Sequence, residues 1–150
     1  TVPVFQMEIV HGREIKDATY AYVVDCKGEF PQKIPAILAN NTHLQAAETP
    51  KGTKLGAVYF DTSVTAKGKF GTFKVSSPAA LFAEKKDGKL ILTVTDALMK
   101  KDLNSLTVYT SVPVRGEGVS KQSKNIYEIK IPLPAGAHCG QPATVTLELL

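Results

Sequence analysis

The stretch Lys86-Asp87-Gly88-Lys89-Leu90-Ile91-Leu92-Thr93-Val94-Thr95-Asp96 decides the fold class of this chain. Asp-Gly tolerates the positive backbone angles of a tight hairpin turn, so it predicts a reversal between two strands. Beyond the turn, side chains alternate between two faces of a strand. Leu90, Leu92 and Val94 share the face expected to be buried, and Ile91, Thr93 and Thr95 share the other.

Working outward, similar signals recur at short intervals over residues 55–62, 70–75, 80–83, 106–112, 126–131 and 144–149. Upstream, Phe5, Met7 and Ile9 alternate with Gln6, Glu8 and Val10 before His11-Gly12 interrupts. The run Tyr20-Ala21-Tyr22-Val23-Val24 reads as a buried strand. Ile37-Leu38 and Leu44 mark strands on either side of Asn40-Asn41. About ten short strands punctuated by turns predict an all-β antiparallel sandwich. Only residues 97–103 resemble a helix, and that stretch lacks an apolar stripe.

Pro50 and Gly52, within residues 49–53, make the best linker in the chain, because proline removes a backbone donor and glycine loosens the backbone. Two units are therefore expected: residues 1–48, an N-terminal β remnant, and residues 49–150, a C-terminal β-sandwich. The abrupt start at Thr1 suggests a piece of a longer chain, a processed product or an engineered form.

Composition narrows the class further. With 150 residues, 43% hydrophobic and 21% charged, the chain has the make-up of a globular protein. No stretch approaches the ~20 apolar residues of a membrane-spanning helix, and no membrane partner is expected. The formal charge of +4 comes from lysines scattered mostly through turns, with pairs only at Lys85-Lys86 and Lys100-Lys101. A solvated surface accounts for them, and without an aromatic-flanked basic stripe no nucleic acid is expected.

Residues able to carry chemistry do not converge. His11, His43 and His138 each sit by a turn, away from the three or four ligands that a metal site needs. Glu8, Asp25, Asp61 and Asp96 are the carboxylates near strands, but nothing pairs them for acid–base work. Carboxylates at strand ends are usually solvated or bonded to turn amides. Tyr20 and Tyr22 are expected as a buried pair rather than a sugar-stacking shelf, and Tyr59, Tyr109 and Tyr127 read the same way. Cys26 and Cys139 match no metal spacing; they are either a disulfide or two separate thiols. The expectation is no catalytic residue, no metal and no cofactor in this chain, with any binding residues unassigned.

The order of motifs resembles the C-terminal end of the family-eight polysaccharide lyases, the group containing chondroitin and hyaluronan lyases. Ile9-Val10-His11-Gly12 precedes Ala18-Thr19-Tyr20-Ala21-Tyr22-Val23-Val24, then Ile37-Leu38-Ala39-Asn40-Asn41-Thr42 and Leu44-Gln45-Ala46-Ala47. Val58-Tyr59-Phe60, Ser77-Pro78-Ala79 and the strand ending Thr95-Asp96 follow in order. The resemblance covers about residues 5–112, with one departure. The family often continues its late aspartate with Pro-Thr, and here Ala97-Leu98 follows Asp96.

The resemblance implies that residues 1–48 are the last strands of a second, larger central β-sandwich. It further implies a secreted or periplasmic parent enzyme that cleaves acidic polysaccharides by β-elimination. Its N-terminal helical and central β domains would be the partners of this chain. The family's catalytic Asn, His, Tyr and Arg lie mainly on the helical domain, so no role passes to His11, Tyr20, Tyr22 or Asn40. A free-standing carbohydrate-binding or adhesion sandwich is the alternative reading.

Overall fold

The protein is described by a computed structural model covering residues 33–150 except Lys124, together with Val10, Gly12, Arg13, Lys16 and residues 19–22. The strand expected over residues 5–9, and the residues Glu8, His11, Asp25 and Cys26, lie outside the described residues.

At the Asp-Gly turn, Asp87 (φ 49°) and Gly88 (φ 72°) both adopt left-handed backbone, as a two-residue hairpin requires. The strands on either side pair from Lys86↔Lys89 to Ala79↔Asp96. Around this hairpin runs a seven-stranded antiparallel sheet. In chain order its strands are β1 (Ala36–Asn40), β2 (Leu44–Glu48), β3 (Lys54–Tyr59), β6 (Ala79–Lys86), β7 (Lys89–Asp96), β9 (Val114–Arg115) and β12 (Ala143–Leu149). Across the sheet the order is β1-β2-β3-β6-β7-β12-β9. A five-stranded sheet packs against it, ordered β10-β11-β8-β5-β4. Its strands are β4 (Ala66–Gly68), β5 (Gly71–Val75), β8 (Ser105–Thr110), β10 (Val119–Ser123) and β11 (Ile126–Pro132).

The core lies between the facing sides of these sheets, as period-two alternation dictates. Leu55, Tyr59, Leu90 and Leu92 enter it from the first sheet, and Phe73, Val108, Ile129 and Ile131 from the second. The Tyr59 hydroxyl donates 2.6 Å to the Phe73 carbonyl and so joins the two sheets. Burial pushes that phenol's pKa far above its ordinary value, because the charged form would lose its water.

The expected break at residues 49–53 is a hairpin turn inside the first sheet. The Thr49 amide donates to the Lys54 carbonyl (2.9 Å), the Gly52 amide donates to the Thr49 carbonyl (2.7 Å), and Gly52 has φ 65°. On one side β2 pairs with β3 from Leu44↔Tyr59 to Glu48↔Leu55, placing Leu44, Ala46 and Glu48 in the buried layer. Residues 36–48 thus belong to the same sheet as the strands after Pro50. Proline and glycine satisfy a hairpin turn as well as they satisfy a linker.

The helix-like stretch 97–103 is likewise a turn. Met99 takes φ 48°, which no helix continues, and the buried Asp96 accepts the amides of Leu98 (2.9 Å) and Lys100 (2.5 Å). These side-chain bonds replace helical ones.

Candidate functional site

Hairpin pairing brings together one pair of chemically capable residues that are 18 positions apart. Because Leu44 opposes Tyr59, the His43 carbonyl receives the amides of Phe60 (3.0 Å) and Asp61 (3.3 Å). The His43 Nδ1 then lies 3.2 Å from Asp61 Oδ2. The Ser63 amide donates to Asp61 Oδ1 at 2.8 Å, and this bond leads the causes that lower the Asp61 pKa; His43 adds to them. The pair is well exposed, and a solvated pair of this kind contributes little to stability. Only the strand pairing makes it legible.

The other candidates stay apart. Asp96 is occupied by its own turn amides. His138 is exposed in a short 3-10 turn, Gly136–His138, with the half-buried Cys139 next to it. Among the described residues, no three of His, Cys, Asp and Glu gather as metal ligands.

Tyr20 and Tyr22 depart from the expected buried pair. They are 58% and 61% exposed, with ring centroids 6.3 Å apart and planes within 8° of parallel. Tyr59 and Tyr127 are buried as expected, whereas Tyr109 is only half-buried on its strand. The Lys121 ammonium sits 5.7 Å from the Tyr127 ring centre.

The outer face of the seven-stranded sheet carries an open groove of about 1150 Å³. Its floor follows from register. One cross-strand row runs Ile37–Ala47–Gly56–Phe82–Thr93, and the next runs Asn40–Gln45–Val58–Ala80–Thr95. Ile37, Phe60 and Phe82 are exposed along it. Among the described residues, none of those lining it is charged. In the following row, Lys54 and Glu84 pair with each other at 3.0 Å. The groove's signal in the sequence is that β3, Lys-Leu-Gly-Ala-Val-Tyr, is apolar on both faces beyond Lys54, the pattern of a strand covered on both sides.

An antiparallel two-sheet sandwich with its core between the facing sheets defines a β-sandwich module. Residues 36–105 match the model described as polysaccharide lyase family 8, C-terminal beta-sandwich domain. Over these residues the resemblance seen in the motifs to the C-terminal end of that family is borne out. The fold is shared with the chondroitin AC lyase of Streptomyces coelicolor A3 in complex with chondroitin sulphate (TM-score 0.56, 15% identity). It is equally shared with a tyrosine-to-alanine mutant of that lyase (TM-score 0.55, 15% identity). In both cases the match covers 77% of this chain but spans only 15% of the lyase chain. No curated relative matches.

Proposed function

We propose that this chain is a non-catalytic C-terminal region of a polysaccharide lyase that cleaves uronic-acid-containing glycosaminoglycans by β-elimination. Chondroitin sulfate and hyaluronan are the substrate class, and the parent is secreted or periplasmic. The observation that carries this reading is the match of residues 36–105 to the family's C-terminal sandwich, joined to a shared fold that occupies a small fraction of a chondroitin AC lyase. β-Elimination needs a positioned base and a group that neutralises the uronate carboxylate. In this reading both reside in helical and central β domains of the parent. Asp61 and Asp96 support it, being bonded to turn amides.

The test is release of unsaturated uronate, followed by absorbance, from chondroitin sulfate, hyaluronan and heparin. The purified chain is expected to give no turnover, and robust turnover would overturn the proposal. A second reading, a free-standing carbohydrate-binding sandwich, draws on the exposed, near-parallel Tyr20–Tyr22 rings. Saturable binding of chondroitin oligosaccharides to this chain, lost in Tyr22→Ala, would favour it.

A further inference from the structure

The uncharged groove on the outer face of the seven-stranded sheet calls for an occupant of matching chemistry. An acidic polysaccharide needs cations, and the described residues of the lining supply none. What already lies against the groove is this chain: Thr19, Tyr20 and Ala21 form part of its wall. The Asn40 side-chain amide, from the row at the groove's rim, donates 3.0 Å to the Tyr20 carbonyl. Residues 19–22, Thr-Tyr-Ala-Tyr, carry no charge, like the face they adjoin.

Gly56 shapes the groove. It lies mid-strand on the groove floor, and a Cβ built there meets nothing within 4 Å, so the floor is open above it. With Ala47 and Ala80 beside it, Gly56 keeps the floor low between the larger Ile37, Phe60 and Phe82.

We propose that this groove is an intramolecular docking surface for residues 19–22 of the same chain, held by apolar contact and by the Asn40–Tyr20 bond. The segment that precedes the sandwich is thereby anchored to the sandwich's outer face, rather than joined to it by a free tether.

Hydrogen exchange on the full chain tests this. Backbone amides of residues 19–22 should be protected. Gly56→Lys, which fills the groove without striking the sheet, should lower that protection about tenfold or more, leaving β3 and β7 unchanged. Asn40→Ala should lower it in part. Should Gly56→Lys fail to fold, Phe82→Ser on the exposed wall replaces it with the same expectation. Unprotected amides at 19–22 in the unaltered chain would overturn the proposal, as would protection indifferent to a folded groove variant. A concentration-dependent dimer whose dilution removes the protection would also overturn it, assigning the face to a second copy of the chain.

Discussion

At the scale of single residues, direction across the sheet decides what a side chain is worth. Leu92 is fully buried while its neighbour Ile91 is half-buried on the opposite face. Leu92→Ala should therefore cost about 2–5 kcal/mol in urea unfolding, and Ile91→Ala clearly less. Equal, small losses would mean that the facing is misassigned. Tyr59 adds a pH signature. Its folded-state pKa is raised by burial, so its contribution is complete below the ordinary phenol value of about 10 and is lost as pH rises beyond it. Tyr59→Phe should lose about 1 kcal/mol near neutral pH, because the Phe73 carbonyl loses its donor. Its stability should also decline less than that of the unaltered chain above about pH 10. Denaturant midpoints at neutral and alkaline pH measure both effects. Alternation made Leu90, Leu92 and Val94 legible as core residues, but it could not say which tyrosines would be buried. Tyr20 and Tyr22 alternate like core residues and yet are exposed, since their surroundings come from strands distant in sequence.

At the scale of elements, turns carry the information that strands do not. The β6–β7 turn was readable because Asp-Gly has few other uses, whereas Pro50-Lys51-Gly52 suits a linker and a hairpin equally. Strands β4, β9 and β10 escaped the sequence reading because they are short or polar and owe their existence to neighbours. β9 is only the pair Val114–Arg115 laid beside β12, where Arg115 meets Glu148 at 2.7 Å. Gly88 tests the turn reading cleanly. Its added Cβ would meet open space, so the cost of Gly88→Ala is that of left-handed backbone alone, about 1–2 kcal/mol. A variant as stable as the unaltered chain would show that the turn can change type without loss. The same hairpin logic explains why the His43–Asp61 pair was hidden: neither loop suggests the other until β2 and β3 are in register.

At the scale of the whole molecule, the question is where the cooperative unit begins. All-β class and sandwich architecture were legible from the rhythm of strands and turns, and the family resemblance from the order of motifs. The boundary was not, because local breaker residues say nothing about which sheet a strand joins. The structure puts β1 and β2 in the first sheet, and the family match also starts at residue 36. A chain beginning at Lys51 would lose both strands, leaving β3 as an edge with a row of unpaired backbone groups. It would lose Leu44, whose burial stabilises by about 1.5–3 kcal/mol, and partly uncover Leu55 and Tyr59 beside it. It would also remove the buried Glu48 carboxylate, which accepts the Lys69 amide at 2.8 Å in the turn between β4 and β5. These losses are comparable with the few kcal/mol that hold a domain of this size together. The chain beginning at Lys51 should therefore aggregate or unfold without a cooperative transition, while one beginning at Lys33 should unfold in a single urea transition and elute as a monomer. A cooperative transition for the Lys51 chain, at the midpoint of the Lys33 chain, would show that β1 and β2 are appended to the sandwich and not part of what makes it fold.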